Sequence, residues 1–320
     1  MSMVSKSSHW IFDRFAPAHA RRLRKAFDDR MGSPEKPNHP EARFCWDHWH
    51  VPGQYSLLRT PAGVFFPPNL YEGFLNHLLT FASARFGCRG MTPAWLSLYT
   101  DGCEQQWHAD LPHGPWAFVY SLTLPQSLRH EFKGGDTLLL QEDVLDYWRT
   151  LNTRRGVERG NLIHAIEPRF DRLTVFDPRI PHAVSPVHGT RDPLKGRLVL
   201  HGWFAEPSPF LEGALSPKQA TPELNRFFEA LLPESLSKLE VPPSDGNLVL
   251  KVTVLPSGQV AVRQSGVLAS TLRSLDRSPR AIERVEKLPR LLLADAAKNL
   301  VFPKRSGKTQ ITLPILWKSS

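Results

Sequence analysis

The chain is poor in the residue types that mark several protein classes. It has 3 cysteines in 320 residues, and Cys45, Cys88 and Cys103 form no C-x-x-C pair. This argues against a disulfide framework and a thiolate zinc site. No run approaches the roughly 18 uncharged apolar residues of a membrane span, and the first 32 residues lack the apolar core of a secretory signal. We therefore expect a cytoplasmic protein with reduced thiols and no membrane span.

Proline and glycine, by contrast, are frequent. The chain has 29 prolines and 20 glycines, with 41% hydrophobic and 22% charged residues. This is a globular composition, and 320 residues suggest two domains at about 150 residues each. Frequent chain breaks favour strands and turns over a helical bundle. The expected fold class is therefore mainly β with flanking helices.

The central segment, residues 41–210, holds most of the predicted strands. Short apolar runs predict strands at Trp95–Tyr99, Ala117–Leu124, Thr137–Leu140, Leu173–Phe176 and Arg197–Phe204. Apolar residues at helical spacing predict a helix over Pro68–Phe86, and a shorter one is predicted over Asp143–Leu151. We expect one β domain with its helices outside.

Two segments flank this domain directly. Residues 1–40 are predicted to be a basic arm with a short helix ending near Gly32, and the prolines of Ser33–Glu41 indicate a linker. Residues 211–245 are predicted to be a helical linker, with Thr221 as the helix cap and Pro222 in its first turn.

Residues 246–320 are predicted to form a small α+β domain in the order β-β-α-β. Pro256-Ser-Gly258 indicates a hairpin turn, and Pro289 is expected to kink or divide a helix over Ser278–Leu300. This segment has 13 Lys and Arg against 4 Asp and Glu, while the preceding residues have 27 of each. The whole net charge of +9 therefore lies in this segment. Because the basic residues are scattered, we favour a solvated basic face over a nucleic-acid partner.

The residues that point to chemistry are two histidines and an aspartate. His108-x-Asp110 follows the turn signal at Gly102. Side chains two residues apart on extended backbone point to the same face, so we expect His108 and Asp110 to face the same way. His182 follows a second strand-like run. Two imidazoles and one carboxylate on one side of an ion form the facial triad of non-heme iron(II), which leaves positions open for other ligands.

Arg197 begins the next predicted strand, which has no acidic residue before Glu206. A guanidinium buried in a β domain needs an anionic partner, and Arg binds a carboxylate with a bidentate fork. A ligand that carries two carboxylates could therefore reach the metal at one end and Arg197 at the other.

These pieces, taken in order, resemble an iron(II)- and 2-oxoglutarate-dependent oxygenase of the prolyl 4-hydroxylase-like type. The motifs that carry the resemblance span about residues 95–204 and are Tyr99-x-x-Gly102, His108-x-Asp110, Phe132-Lys-Gly-Gly-Asp-Thr137, Arg172-Leu-Thr-Val-Phe176, Pro181-His182-x-Val-x-Pro186-Val and Arg197 six residues before Trp203.

The resemblance implies a double-stranded β-helix, or jelly roll, with Fe(II) bound by His108, Asp110 and His182. It implies 2-oxoglutarate as cosubstrate, held by Arg197 and by a hydrogen bond from Tyr99, although Tyr99 could equally be a core aromatic. It also implies O2 as the oxidant, ascorbate as a candidate reductant, and release of succinate and CO2. The carboxylate of Asp110 favours hydroxylation, because halogenating members typically have a small residue there.

The sequence departs from the family pattern between His182 and Arg197, where extra residues lengthen the spacing. This makes Arg191 a rival for the cosubstrate anchor, but Arg197 keeps its strand register with Trp203. Val199, two residues beyond Arg197, removes a hydroxyl group that is common at that position. Three other histidines, His48, His50 and His113, could join a metal site, although one triad suffices, and His201 is expected near it.

Short motifs in residues 246–320 resemble a TonB-like carboxy-terminal domain, which implies a protein-interaction module. The leading hypothesis is a hydroxylase acting on a protein or peptide side chain or on a small metabolite. A nucleic-acid demethylase is an alternative, but such enzymes place a second arginine where this chain has Trp203. A non-catalytic cupin-like binding or sensor module is the other alternative.

Overall fold

The computed structural model describes residues 8–32, 45–110, 113–125, 132–141 and 162–318. The predicted linker Ser33–Glu41 and the predicted helix Asp143–Leu151 lie outside the described residues. Of the described residues, 8–78 and 91–205 form one compact unit, and 79–90 and 206–318 form a second.

The described residues form both β-strands and α-helices. The strands are β1 (His9–Asp13), β2 (Asp47–Val51), β3 (Tyr55–Pro61), β4 (Cys88–Met91), β5 (Trp95–Tyr99), β6 (Glu104–His108), β7 (Trp116–Ser121), β8 (Thr137–Leu140), β9 (Ile163–Ile166), β10 (Arg172–Phe176), β11 (His182–Val184), β12 (Arg197–Pro207), β13 (Phe210–Gly213), β14 (Ser244–Val254), β15 (Gly266–Ser270), β16 (Arg273–Ser274) and β17 (Thr309–Trp317). The helices are α1 (Pro17–Met31), α2 (Ala62–Phe65), α3 (Pro68–Phe86), α4 (Pro217–Arg226), α5 (Leu232–Lys238) and α6 (Pro279–Asn299).

The first unit is built on a curled antiparallel sheet. Its strands follow one another in the order β1-β10-β7-β12-β5-β3-β6-β11-β8-β9, and β2 pairs with β3. Every pair along this path is antiparallel. The predicted mainly β fold with flanking helices is therefore confirmed, and the sheet has the character of a jelly-roll core.

Helix α3 has the bounds that its sequence predicts. Leu70, Phe74, Leu78 and Phe86 are buried at spacings of four or eight residues, which places them on one face. Gly87 follows the helix with φ of +65°, the left-handed conformation that ends many helices.

The described part of the predicted N-terminal arm is integrated into the first unit. Strand β1 pairs with β10, from His9 opposite Phe176 to Asp13 opposite Arg172. In α1, Arg24 is buried and donates hydrogen bonds to the carbonyl oxygens of Leu122, at 3.1 Å, and Leu194. Residues 9–13 of the predicted arm therefore form an edge strand of the sheet, since they pair with β10.

The second unit contains a smaller antiparallel sheet in the order β13-β17-β14-β15, with β16 beside β14. Helix α6 supplies its buried face, including Val285, Leu288 and Leu292, to one core with Leu250 and Val252 of β14. The predicted small α+β domain is thus confirmed as a second sheet with a helix.

Several boundaries in this unit differ from the sequence-based ones. The next strand along the chain that pairs with β14 is β15, and residues 262–264, between the Pro256-Ser-Gly258 turn and β15, form a 3-10 turn. Pro289 lies inside one continuous α6 with its ring on the buried face. No helix in the described part of the chain combines the length and apolar character that crossing a bilayer requires.

The helix before this sheet begins earlier than predicted. Ser216, not Thr221, is the N-cap of α4, because the backbone N–H of Ser216 donates to Gln219 Oε1 at 3.1 Å. The Thr221 hydroxyl instead donates to the carbonyl oxygen of Pro217 at 2.8 Å, inside the helix. A capping box thus forms over residues 216–219.

Candidate metal and cosubstrate site

The pairing of β6 with β11 brings the first two site residues together. His108 lies directly opposite His182 in this antiparallel pair. Their ring centroids are 4.2 Å apart, at an interplanar angle of 54°. Residues that are opposite in a ladder have neighbouring side chains on the same face. The sheet register therefore joins two histidines that are 74 positions apart in the chain.

Asp110 completes the group just beyond the end of β6. Its backbone N–H donates to the carbonyl oxygen of Pro178 at 2.9 Å, which fixes the chain after the strand. Asp110 Oδ2 lies 3.3 Å from His182 Nε2, and Asp110 Oδ1 lies 3.8 Å from His108 Nε2. One ligand atom from each of these three residues lies within 4.8 Å of the others.

Backbone carbonyl groups fix the orientation of both imidazoles. His108 Nδ1–H donates to Gln106 O at 2.8 Å, and His182 Nδ1–H donates to Ile180 O at 2.9 Å. Each contact joins a histidine to the residue two positions earlier, so the two rings are held in the same way. The Nε2 atoms are thereby the ones that carry the lone pairs for a metal ion, as in most protein sites that bind metals through histidine.

The surroundings of the group lower the pKa values of two of its members, His108 and Asp110. Burial lowers the pKa of His108, and the neighbouring His182 lowers it further. Burial alone would raise the pKa of Asp110, but the hydrogen bond and charge of His182 outweigh it and the pKa falls. Neutral imidazoles and an ionised carboxylate are the forms that bind metal. Two nitrogen ligands and one oxygen ligand on one side fit a first-row divalent ion such as Fe(II).

Arg197 is buried, with 1% of its surface exposed, and it lines the same cavity as the three metal-ligand candidates. Its Nη2 donates to Thr137 Oγ1 at 3.1 Å, and its Cζ lies 4.6 Å from the ring centroid of Tyr99. Its Nε and Nη1 are buried without a hydrogen-bond partner among the described residues. Because an unpaired buried cation is costly, these two donors indicate a ligand that carries acceptors.

The rival arginine has the opposite environment. The side chain of Arg191 is 92% exposed, and its Nε lies 3.8 Å from Asp101 Oδ2. A solvent-exposed guanidinium with an acidic neighbour has no unmet need for a ligand. The geometry therefore supports Arg197 as the candidate anchor.

Tyr99 is linked to the metal-ligand group through a residue that the sequence did not single out. The Tyr99 hydroxyl donates to Gln105 Oε1 at 3.2 Å, and Gln105 Nε2 lies 3.1 Å from His108 Nε2. The β6–β11 register explains why Gln105 was missed. His182 pairs with His108 but Val184 pairs with Gln105, so β6 has one extra residue and its side-chain alternation is interrupted.

The metal-ligand candidates and Arg197 line one cavity of about 700 Å³. Its lining also includes Tyr99 and Gln105, together with Arg59, Trp49, Trp95 and Trp203. This volume is typical of small-molecule sites.

The remaining histidines have other positions. His113 packs on Trp203 with ring centroids 4.5 Å apart, and the metal-ligand group among the described residues does not include it. His48 and His50 stack on each other on exposed β2. His201 lines the cavity, as expected, and its Nε2 is 2.8 Å from Ser97 Oγ. Burial, and then Arg197, lower the pKa of His201 to about 3, so this ring is neutral near pH 7.

Comparisons with solved structures match part of the chain to several prolyl hydroxylases at low sequence identity. The chain is 18% identical to a prolyl-4-hydroxylase from Pseudomonas putida, covering 62% of this chain and 92% of that one, with a TM-score of 0.42. It is 15% identical to a Trichoplax adhaerens prolyl hydroxylase solved with a hypoxia inducible factor peptide, covering 62% and 83%, with a TM-score of 0.39.

A third structure is a collagen prolyl hydroxylase from Paramecium Bursaria Chlorella virus-1, solved with 2OG. It is 13% identical to this chain, covering 63% of this chain and 98% of that one, with a TM-score of 0.38. A comparison with curated protein sequences finds no match.

The match to a family model is confined to the first unit. Residues 94–205 match the model of the 2OG-Fe(II) oxygenase superfamily. This range includes the metal-ligand group and Arg197, and the superfamily uses Fe(II), 2-oxoglutarate and O2. Residues 94–205 thus match the model of the 2OG-Fe(II) oxygenase superfamily, a family of oxidoreductases, and the metal-ligand group lies within the matched range.

Proposed function

We propose that this protein is a hydroxylase in which His108, Asp110 and His182 hold Fe(II) and Arg197 binds the distal carboxylate of 2-oxoglutarate. The observation that carries the proposal is the combination of the metal-ligand group with two unpaired donors of a buried guanidinium in one cavity. The substrate is a protein or peptide side chain or a small metabolite that enters this cavity.

The overall reaction balances as 2-oxoglutarate, O2 and a substrate R–H giving succinate, CO2 and R–OH. One oxygen atom enters succinate and the other enters the product hydroxyl group, while the C1 carboxylate leaves as CO2. When bound, Fe(II) supplies the redox chemistry by which O2 oxidises both compounds. The protein's part is to bind, to orient and to exclude water.

Three residues position the cosubstrate in this proposal. Arg197 offers Nε and Nη1 to a carboxylate, while Thr137 holds Nη2 and the Tyr99 ring packs against the guanidinium. A guanidinium that is already oriented loses little further freedom when it binds its ligand. The anchor therefore sets the direction in which 2-oxoglutarate extends toward the metal-ligand group.

The two imidazoles and Asp110 have complementary roles. The carbonyl groups of Gln106 and Ile180 keep the Nδ1 protons in place, so that both Nε2 atoms stay directed at the ion. Asp110 supplies a negative charge that partly compensates a divalent cation. Val199 and Val184 are buried and form an apolar part of the cavity wall, which limits the access of water to the site.

The experiment is to measure succinate formed from 2-oxoglutarate by the full chain with Fe(II), ascorbate and O2. We expect slow substrate-independent turnover that Asp110→Ala abolishes, because one of the three ligands is lost. His113→Ala, which changes a cavity histidine outside the metal-ligand group, should keep most of the turnover. A metal-replete protein that neither binds 2-oxoglutarate nor converts it to succinate would contradict the proposal and favour a non-catalytic binding module.

A further inference from the structure

A second arginine lies in the wall of the same cavity. Arg59 is on β3, and the neighbouring strands place Trp49 of β2 on one side of it and Trp95 of β5 on the other. The Arg59 Cζ lies 4.0 Å from the ring centroid of Trp95 and also packs on the ring of Trp49. The guanidinium plane is therefore supported by indole faces, which leaves its edge for hydrogen bonding.

The polar atoms of Arg59 are incompletely satisfied. Its Nε is buried without a hydrogen-bond partner among the described residues. Burial lowers the pKa of Arg59 to about 10, so the side chain stays positively charged near pH 7. Trp203 Nε1, in the same cavity, is also buried and unpaired within the described part of the chain. Both groups are donors, and both therefore favour a ligand with acceptor atoms.

Arg59 and the cosubstrate anchor serve different parts of the cavity. Arg59 is the register partner of Ser97 on β5, and Ser97 is opposite Val199 on β12, two residues along the strand from Arg197. Two residues along the strand and two strands across the sheet separate the backbones of Arg59 and Arg197 by about 12 Å, at 3.3 Å per residue and 4.8 Å per strand. If Arg197 binds 2-oxoglutarate, the unpaired donors of Arg59 are left for a second ligand.

We propose that Arg59 binds a carboxylate of the substrate, and that the substrate is a small organic acid whose apolar part packs on the cavity tryptophans. The inference rests on the proposed function, since it takes Arg197 to be occupied by 2-oxoglutarate. A cavity of about 700 Å³ suits a small molecule next to the cosubstrate. The walls that Trp49 and Trp95 form suit an apolar body, and the cation between them suits an anion.

Matched acids and amides provide a direct test. The probes are indole-3-propionate against indole-3-propionamide, and hexanoate against hexanamide, titrated calorimetrically into the full chain loaded with Mn(II) and saturating 2-oxoglutarate. We expect at least one acid to bind about 10- to 100-fold more tightly than its amide, as charge-assisted hydrogen bonds do. If no acid binds at millimolar concentration, or if acids and amides bind equally, the proposal is wrong.

Variants separate anion binding from support of the tryptophans. Arg59→Gln should weaken the acid to the level of the amide and leave the amide unchanged, while Arg59→Lys should keep part of the preference. A purely structural role would weaken acid and amide alike, which would overturn the proposal. Arg89→Gln, an exposed arginine that pairs with Glu206 in the second unit, is the matched control and should bind as the parent chain.

The 2-oxoglutarate titration distinguishes the two levels of failure. If the Mn(II)-loaded parent chain does not bind 2-oxoglutarate, the proposed function fails, while the acid and amide comparison still decides the role of Arg59. If Arg59→Gln abolishes 2-oxoglutarate binding, Arg59 belongs to the cosubstrate site and its role in substrate binding is wrong. Unchanged 2-oxoglutarate affinity with a lost acid preference supports both.

Discussion

Burial gives the two candidate anchors of the cosubstrate very different chemistry. Arg197 has 1% of its surface exposed and two unpaired donors, whereas the side chain of Arg191 is 92% exposed. Removing a buried cation from water is tolerated only where partners replace the solvent. For Arg197, Thr137 and the Tyr99 ring supply part of that replacement. A bound carboxylate would supply the rest.

This contrast leads to the first prediction. Arg197→Gln should weaken 2-oxoglutarate binding to the Mn(II)-loaded protein by about 10- to 100-fold, because a charge-assisted pair is lost. Arg191→Gln should have little effect, and neither variant should change Mn(II) affinity. Calorimetric titration measures both ligands. Equal losses of 2-oxoglutarate affinity in the two variants would contradict the assignment.

The metal-ligand candidates could be predicted from sequence, but several of their neighbours could not. The spacing of His108 and Asp110 carries its own geometric meaning, and the later strand supplies His182. The sequence did not predict Gln105 as a site residue, because the bulge in β6 changes which side chains share a face and no local sequence pattern shows the bulge. The sequence did not predict Arg59 either, because its position in the cavity wall depends on the strand order, which places β3 between β2 and β5.

At the scale of elements, the loop before β8 is shaped by two consecutive glycines in the left-handed region. Gly134 has φ of +80°, and a Cβ there would lie 1.9 Å from the carbonyl oxygen of Pro186. A Cβ on Gly135 would lie 2.8 Å from the Phe132 ring and 3.0 Å from Arg197 Cδ. The glycine-rich entry to β8 therefore allows the chain to pass close to the candidate anchor.

Gly134→Ala should destabilise the protein by more than about 2 kcal/mol, because it adds a backbone clash to the strain of positive φ. Gly53→Ala is the matched control. Gly53 has φ of +72° but nothing within 4 Å of an added Cβ. Gly53→Ala should therefore lower the free energy of unfolding only by the backbone strain, about 1 kcal/mol. Urea unfolding measures both changes. A Gly134→Ala variant as stable as Gly53→Ala would show that the loop shifts freely.

The edge strand β1 carries an acid-sensitive residue. Burial, and then His164, lower the pKa of His9 from 6.5 to about 4, and the two ring centroids are 4.7 Å apart. The unfolded chain therefore binds a proton at higher pH than the folded one. The stabilisation is complete above pH 6.5 and is lost as the pH falls toward 4.

Thermal unfolding between pH 7 and pH 4.5 should therefore show a steeper loss of stability in the parent chain than in His9→Phe. The difference should be about 1 to 2 kcal/mol, since the ring is partly open to solvent and the full shift overstates the effect. His48→Phe, which changes an exposed histidine on β2, is the control and should follow the parent chain. Parallel pH profiles for the parent chain and His9→Phe would contradict this role of His9.

Element boundaries show what local patterns can specify. Helix α3 has the predicted bounds because apolar spacing, Pro68 and Gly87 all agree. The sequence predicted an arm where β1 lies. The strand was missed because β1 pairs with β10, more than 150 residues away, and such pairing leaves no local signal in the sequence. Likewise β13 pairs with β17, so residues 210–213 form a strand that overlaps the start of the predicted helical linker, residues 211–245. Long-range pairing decides such strands.

At the scale of the whole molecule, charge and chemistry are separated along the chain. The net charge of +9 comes from residues 246–320, whereas the metal-ligand group and Arg197 lie within residues 94–205. Residues 246–320 form β14 to β17 and α6, in the predicted order β-β-α-β if the short β16 is set aside. Their resemblance to a TonB-like domain, and a role in protein interaction, remain predictions.

The central claim is that His108, Asp110 and His182 together hold one divalent metal ion. The most direct measurement is a Mn(II) titration of the full chain, followed by the electron paramagnetic resonance signal of free Mn(II). We predict one ion per chain for the parent and for His113→Ala, and affinities more than about 100-fold weaker for His108→Ala, Asp110→Ala and His182→Ala, since losing even an outer-shell partner costs 10- to 100-fold. Mn(II) binding by these three variants with the stoichiometry and affinity of the parent chain would contradict the account.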